Sequence, residues 1–195
     1  MKTIIWDVDD VLNDLTKAWL DEWSLKTRGT PIAFDLLTEN PPHRVLGISR
    51  RDYLDSLDDF RLSGYASRLS PTPEVFNWFC SNGDKCHHVA LTAAPLCAGH
   101  VSAEWVMRHF GRWIRSFNVV PSKRPGDNSC QFHADKFEFL RWWGKADMLV
   151  DDNEENVADA RALGIRATLV PRPWNRSALA LDEMLHAVTE YVEGA

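Results

Sequence analysis

The sequence of 195 residues predicts an α/β fold: a doubly wound parallel sheet with a small, mostly helical subdomain inserted after the first strand. The first apolar run, from Thr3 to Val8, is apolar on both faces, as a buried parallel strand should be. After Ser70, short apolar runs alternate with helix-length segments, which indicates a parallel sheet covered on both faces. The segment between these regions is too long for an ordinary loop, so it is predicted to be an insertion.

The insertion begins with a helical pattern and then becomes irregular. Leu15, Trp19 and Trp23 recur at helical spacing, and Gly29 is a suitable helix end. Residues 31–69 contain prolines and charged runs and are predicted to form loops and short helices. We expect residues 1–13 and 70–195 to form the core and residues 14–69 to form a cap. An insertion at this point lies over the carboxyl ends of the strands, where open α/β sheets bind ligands.

The remaining elements follow in regular order. A helix is expected to begin at Thr72-Pro73-Glu74, with an N-cap and a first-turn proline, and to end at Gly83. Further helices are expected at residues 102–110, 135–143 and 154–163, each followed by a glycine. Strands are expected at residues 86–92, 116–120, 148–152 and 167–170. The last helix carries an apolar stripe formed by Leu181, Met184, Leu185, Val188 and Val192.

Composition and charge limit the classes of partner. The net charge of −6 disfavours a nucleic-acid polymer, which requires a basic face. The short apolar start before Asp7 does not fit a signal peptide, and no apolar run approaches the roughly 20 residues of a membrane span. An acidic protein can still bind a small phosphorylated substrate when a metal ion and a few local cations mediate the contact. A homodimer is compatible with the sequence.

The cysteines and histidines form no recognisable metal or disulfide pattern. The four cysteines contain no CxxC pair, and together with the seven scattered histidines they form no zinc motif. We therefore expect free thiols in a reducing cytoplasm. The four positions are Cys80, Cys86, Cys97 and Cys130.

Several chemically active side chains fall at the ends of predicted strands or at a helix start. In a doubly wound sheet such positions converge on one crevice. Carboxylates that converge repel one another unless a cation joins them. Mg²⁺ is the natural cation, since it binds carboxylates, waters and substrate phosphate. The positions are Asp7 with Asp9, Thr92, Lys136, and Asp151 with Asp152.

These residue types suit phosphoryl transfer. A carboxylate beside Mg²⁺ can attack phosphorus and form an aspartyl-phosphate. A second carboxylate two residues later can protonate the leaving alcohol and then activate water. Thr92 and Lys136 have the hydroxyl and the ammonium group that bind phosphoryl oxygens.

Four motifs together resemble the haloacid dehalogenase (HAD) superfamily of aspartate-nucleophile phosphatases. DVDDV resembles its first motif, VALTAAP its second, HADKFEFL its third and MLVDDNEENV its fourth. Each motif alone is weak, but all four occur in the family's order and span residues 3 to about 170. The resemblance implies a Rossmann-like core and Mg²⁺-dependent hydrolysis of phosphoric monoesters.

Carried over residue by residue, the resemblance assigns roles to the motif positions. Asp7 would be the nucleophile, and Asp9 the general acid and base, which also gives Mg²⁺ its backbone carbonyl. Thr92, Ala93 and Lys136 would hold the phosphoryl group. Side-chain ligands of the metal would be Asp7 and Asp152, the latter chosen by counting back four residues from Asn156, with Asp151 in support.

The succession LSPTPEVFNWF, VALTAAP and SAEWVMRHFG is similar to 5′(3′)-deoxyribonucleotidases with a C1-type cap, and so is PRPWN after the last predicted strand. The chain departs from that group at Asp10, where glycine is usual, and in the longer spacing from Lys136 to Asp151. The resemblance implies a nucleoside monophosphate as substrate. A sugar phosphate or another small metabolite is the alternative, and an inactive HAD scaffold that binds a ligand or partner is the alternative of another class.

Some positions permit two interpretations. Lys123 follows a predicted strand and competes with Lys136, which is favoured because it opens a helix just before the fourth motif. Trp19 and Trp23 are expected in the core, and Arg50-Arg51 on a solvated face. Candidate substrate contacts in the cap are Phe34, His43 and Arg44. A response-regulator receiver domain is disfavoured because its lysine comes last, whereas here a second acidic pair follows Lys136 and a long insertion separates the first strand from Thr92. A dehalogenase is disfavoured because it needs no carboxyl group at the position of Asp9.

Overall fold

A computed structural model describes residues 1–27, 32–122, 124 and 132–194. In this part of the chain five strands form a single all-parallel sheet in the order β3-β2-β1-β4-β5. The predicted α/β fold class is therefore confirmed. The strands are β1 (Thr3–Trp6), β2 (His87–Thr92), β3 (Ile114–Val119), β4 (Met148–Asp151) and β5 (Arg166–Leu169).

Seven α-helices connect or flank these strands in the described ranges. They are α1 (Leu15–Thr27), α2 (Arg50–Arg61), α3 (Pro73–Asn82), α4 (Leu96–Phe110), α5 (Lys136–Trp143), α6 (Glu154–Ala162) and α7 (Leu181–Glu193). Short 3₁₀ turns occur at Phe34–Leu36, Ala66–Arg68 and Gly83–Lys85. None of the described helices combines the length and the apolar character needed to cross a bilayer.

The strand order creates a switch point beside β1. The chain runs from β1 outward through β2 to β3 and then returns to place β4 on the other side of β1. Trp6 pairs with Val150 in the register of β1 and β4. The next backbone contact is the amide of Asp7, which donates to the carbonyl oxygen of Val150 at 2.9 Å. The acidic ends of both strands therefore meet at one edge of the sheet, the position at which such folds bind ligands.

Alternate residues of β1 pack into two apolar layers, one on each face of the sheet. Ile4 and Trp6, both fully buried, lie in a cluster with side chains of α3, α4 and α7. Ile5, also fully buried, lies on the opposite face with side chains of α5 and α6. The two-residue period of a strand thus explains why the first run had to be apolar on both faces.

The inserted segment has an apolar cluster of its own. Trp19 is 1% exposed and packs against the ring of Tyr53 at 5.0 Å, and Trp23 stacks on Trp19 at 5.8 Å. Both tryptophans therefore lie in the packing of the segment, as expected from the sequence. The expectation of loops and short helices was wrong for α2, a twelve-residue helix whose N-cap, Ser49, accepts a hydrogen bond from the amide of Asp52. The proposed cap boundaries remain a prediction.

Helix ends also differ from expectation at two places. Helix α4 begins at Leu96, six residues before the predicted start at Ser102. Thr72 precedes α3 as predicted, but its side chain makes no cap bond and its hydroxyl instead contacts Asp14 at 3.4 Å. The predicted end of α5 is confirmed. Gly144 follows the helix with φ of 64°, in the left-handed region that favours glycine.

A buried histidine gives the fold an acid-sensitive contact. His88 accepts a hydrogen bond at Nδ1 from the indole of Trp6 at 3.0 Å, and its Nε2 lies 3.0 Å from the carbonyl oxygen of Gly83. Nε2 therefore carries the proton of the neutral ring and donates it to Gly83. Burial lowers the pKa of His88 to about 4.

We expect the stability advantage of the wild type over a His88→Gln variant to shrink as pH falls. Between the unfolded pKa of about 6.5 and the folded value the unfolded chain binds the extra proton, so protonation favours unfolding there. Across this pH range the stability advantage should fall by about 3 kcal/mol. Urea unfolding of both proteins from pH 7.5 to pH 4 measures it, and comparing the two cancels the titration of other groups. A pH-independent difference would contradict the assignment of a neutral, buried ring.

Candidate active site

Asp7 is the buried carboxylate at the end of β1. Its Oδ1 accepts a hydrogen bond from the amide of Val8 at 2.8 Å and lies 2.8 Å from Nζ of Lys136. Burial raises the pKa of Asp7 to about 7, although Lys136 opposes the increase, and the negative charge of Asp151 adds to it. One oxygen of Asp7 is thus fixed by two donors while the carboxyl group faces a cleft.

Lys136 joins the ends of β1 and β4. It is the first residue of α5 and is 3% exposed, and its Nζ also contacts Oδ2 of Asp151 at 2.7 Å. Burial alone would lower the pKa of Lys136, but Asp151 and Asp7 outweigh burial and raise it. The helix start is set by Asp135, whose side chain accepts from the amide of Glu138 at 2.9 Å. Capping therefore places the ammonium group where the sequence analysis expected it.

The two carboxylates at the end of β4, Asp151 and Asp152, have different surroundings. Asp151 is fully buried, and its Oδ1 accepts from the amide of Asn153 and from Nδ2 of Asn156. Asp152 lines the cleft and accepts a 2.8 Å bond at Oδ2 from the indole of Trp174. Burial, with Asp151 nearby, raises the pKa of Asp152 well above its usual range. Asp151 thus holds Lys136, and Asp152 presents its carboxyl group to the cavity.

Asp7, Asp151 and Asp152 form a cluster that fits a divalent cation. One carboxylate oxygen from each lies within 4.8 Å of the others. Three buried carboxylates carry more negative charge than the single ammonium of Lys136 can balance, and such an excess is costly without a further cation. An all-oxygen donor set of this kind suits Mg²⁺.

Thr92 and Ala93 reach the same cavity from β2. Thr92 is the last residue of that strand and is 1% exposed, and its carbonyl oxygen accepts from the amide of Val120 at 2.9 Å. Both residues line the cleft beside Asp7 and Lys136. The fold therefore brings every predicted catalytic position to one place.

The cleft has a volume of about 350 Å³. Its inner wall carries the motif residues described above. Its outer wall is formed by the inserted segment and by loops of the core, including Asn40, Pro41, Arg50, Tyr53, Leu54, Leu57, Arg61, Pro121, Ser122, Arg124, Asn153 and Asn156.

Arg61 is a cleft residue that sequence reasoning missed. As the last residue of α2, it donates to Oδ2 of Asp9 from Nε at 3.2 Å and from Nη2 at 2.8 Å. No motif marks this arginine, because its partner lies 52 residues away in the sequence and is brought near only by the tertiary fold. Arg50 is exposed, as expected of a solvated face, and also lines the cleft.

The cap residues suggested from the sequence lie elsewhere in the described structure. Phe34 packs edge-on against Trp174 at 5.7 Å. His43 contacts the carbonyl oxygen of Pro41, and the exposed Arg44 pairs with Glu39 at 2.8 Å. None of the three lines the described part of the cleft. Lys123, the competitor of Lys136, lies outside the described residues.

Asp10 lies in a backbone conformation that few residues other than glycine adopt. It has φ of 60°, in the left-handed region that favours glycine. Its carboxylate accepts from the amide and the hydroxyl of Thr16 at 2.9 and 2.5 Å, which anchors the first turn of α1. Burial raises the pKa of Asp10 to about 6, although Arg172 opposes the increase. The side chain of Asp10 therefore anchors α1, and the neighbouring Asp9 lines the cleft.

Comparison with solved structures finds the same fold in several HAD-type proteins. A haloacid dehalogenase-like hydrolase from Streptococcus pneumoniae superposes with a TM-score of 0.64 at 11% identity, over 98% of each chain. A candidate beta-phosphoglucomutase from Thermotoga maritima gives 0.61 at 18% identity, over 97% of this chain and 99% of that one. A HAD family hydrolase from Deinococcus radiodurans, solved with phosphate and sodium, gives a TM-score of 0.60 at 15% identity, over 99% of this chain and 96% of that one.

No family model and no curated protein matches the sequence. The structural similarities, at 11% to 18% identity, show that the chain shares its fold with these proteins over nearly its whole length.

Proposed function

We propose that the chain is a Mg²⁺-dependent phosphomonoesterase that works through an aspartyl-phosphate on Asp7. The observation that supports this most is the buried cluster in which Lys136 bridges Asp7 and Asp151 while Asp152 faces the same cleft. The similarity of the fold to HAD-type hydrolases and phosphatases is consistent with this chemistry.

The proposed reaction has two steps. A carboxylate oxygen of Asp7 attacks the phosphorus atom, the bond from phosphorus to the substrate oxygen breaks, and Asp9 gives its proton to the leaving alkoxide. Water then attacks the phosphorus of the aspartyl-phosphate, Asp9 accepts the proton of that water, and inorganic phosphate leaves Asp7 intact. Asp9 must therefore lie on the leaving-group side of Asp7 in both steps.

Other groups of the site would bind the charge of the phosphoryl oxygens. Lys136 uses two of its three N–H donors on Asp7 and Asp151, which leaves one donor for a ligand in the cleft. Thr92 and Ala93 would contribute a hydroxyl and a backbone amide. Asp7, Asp152 and the backbone carbonyl of Asp9 would hold Mg²⁺, with Asp151 in support. Mg²⁺ would neutralise charge on the phosphoryl oxygens.

A nucleoside monophosphate is the proposed substrate, on the resemblance of several segments to 5′(3′)-deoxyribonucleotidases. Residues 14–69 would act as the C1-type cap over the cleft. A sugar phosphate is the second candidate, and one observation favours it. Among the described lining residues Tyr53 is the one aromatic side chain, and at 2% exposed it offers little surface for stacking a base.

A panel of phosphate esters tests both candidates. We expect Mg²⁺-dependent release of phosphate, fastest from nucleoside monophosphates, and loss of turnover after chelation with EDTA. Faster release from sugar phosphates would establish the second candidate. A control with beryllofluoride and Mg²⁺, which mimic the aspartyl-phosphate, should raise the melting temperature. If no ester is hydrolysed and beryllofluoride gives no shift, the chain is an inactive scaffold.

A further inference from the structure

Four charged side chains link the inserted segment to the core at the edge of the cleft. Arg61 contacts Asp9 through two N–H groups and contacts Oδ1 of Asp58 at 3.0 Å. Arg124 of the core contacts the same Asp58 at 2.7 Å through Nη2 and at 2.9 Å through Nε. The network thus alternates in sign as Asp9, Arg61, Asp58, Arg124.

This network is more buried than an ordinary surface ion pair. The side chains of Arg61, Asp9, Asp58 and Arg124 are 11%, 17%, 21% and 18% exposed. Low exposure strengthens each contact and reduces the screening by salt that weakens exposed pairs. A guanidinium group held at both ends by carboxylates is also restricted in rotation, so it can fix the position of its partner.

We propose that Arg61 is a positioning residue that holds the carboxyl group of Asp9 on the leaving-group side of the cleft. The inference rests on the proposed function, in which Asp9 exchanges protons with the leaving group and with water. Nε and Nη2 of Arg61 both donate to Oδ2 of Asp9, and Oδ1 has no hydrogen-bond partner among the described residues. Oδ1 is therefore the oxygen left to exchange protons with the substrate.

Asp58 and Arg124 act on Asp9 through Arg61. Asp58 contacts Nη1 of Arg61, a nitrogen different from the two that contact Asp9, and Arg124 of the core contacts Asp58. The position of Asp9 thus depends on a side chain of α2 and on the loop that follows β3. The geometry makes the inserted segment a contributor to the chemical step as well as a cover for the cleft.

The test uses the dependence of the reaction rate on the leaving group. A p-nitrophenolate leaves readily without a proton, whereas a simple alkoxide needs one. In an Arg61→Met variant we expect kcat/KM for an alkyl phosphate to fall about 100-fold, and kcat/KM for p-nitrophenyl phosphate to fall much less. The matched control is Arg51→Met, which removes an 85% exposed arginine from the same helix and should change neither value.

Two further variants separate positioning from a structural role. In Asp58→Asn, kcat/KM for the alkyl phosphate should again fall more than kcat/KM for p-nitrophenyl phosphate, but by a smaller factor. This variant tests the inference even if Arg61→Met does not fold. In an Asp9→Asn background, Arg61→Met should add little further loss, because a residue that acts through Asp9 cannot act without it.

The outcomes distinguish this inference from the proposed function. Equal losses for both esters, or full additivity with Asp9→Asn, would show that Arg61 binds the phosphoryl group or supports the fold, and would overturn the inference. A wild type that hydrolyses no ester of the panel would instead contradict the proposed function itself.

Discussion

An Asp7→Asn variant should lose phosphatase turnover by at least about 10³-fold, the scale seen when a catalytic nucleophile is removed. The amide keeps the shape of the side chain and an oxygen that can accept from the amide of Val8 and from Lys136. It lacks the charge and the nucleophilic oxygen needed for attack on phosphorus. Phosphate release under saturating Mg²⁺ measures the effect, with the best ester of the panel as substrate.

The same variant should fold at least as stably as the wild type. Asp7 shares its buried cluster with Asp151 and Asp152, and removing one of three neighbouring like charges relieves repulsion. A melting temperature equal to or above that of the wild type would therefore show that lost turnover is a chemical effect. Full activity of Asp7→Asn would exclude Asp7 as the nucleophile.

The sequence was sufficient to predict the sheet and the inner wall of the cleft. Asp7 and Asp152 directly follow buried strands and Asp151 ends one, so the topology alone brings them together. Lys136 could be placed because Asp135 has the chemistry of an N-cap and fixes the start of α5. In each case a local sequence pattern determines where the strand or helix begins or ends, and that boundary determines where the side chain lies.

The outer wall of the cleft could not be predicted in the same way. Arg61 meets Asp9 through packing of α2 over the sheet, and no periodic pattern in the sequence encodes that orientation. The N-cap of α2 is recognisable at Ser49, but the many charged residues of the helix make its apolar pattern hard to recognise in the sequence. The buried face is formed by Tyr53, Leu54, Leu57 and Phe60. Long-range contacts of this kind depend on how an inserted segment sits on the core.

A Lys136→Met variant should lose both activity and stability. Removing the ammonium leaves Asp7 and Asp151 buried without their shared partner, and breaking a buried ion pair in this way costs about 3–5 kcal/mol. Loss of a donor to the phosphoryl oxygens should lower kcat by about 10²-fold. Urea unfolding and phosphate release measure the two effects, with the exposed Lys145→Met as control.

The stability loss in Lys136→Met should grow as pH rises. The folded pKa of Asp7 is already raised to about 7, so stability falls as pH rises from the unfolded value of about 3.8 towards that pKa. Without the ammonium the folded pKa moves higher, and the fall continues to higher pH. The difference between variant and wild type should therefore be larger at pH 8 than at pH 6.

The variant also decides between the two candidate lysines. If Lys136→Met is stable and active while Lys123→Met is inactive, the phosphoryl-binding role belongs to Lys123, and the contacts of Lys136 with Asp7 and Asp151 contribute little. We expect the reverse, with Lys123→Met retaining most of its turnover. A buried lysine between two carboxylates contributes to both the charge balance of the fold and the binding of an anionic ligand, so the two losses should occur together.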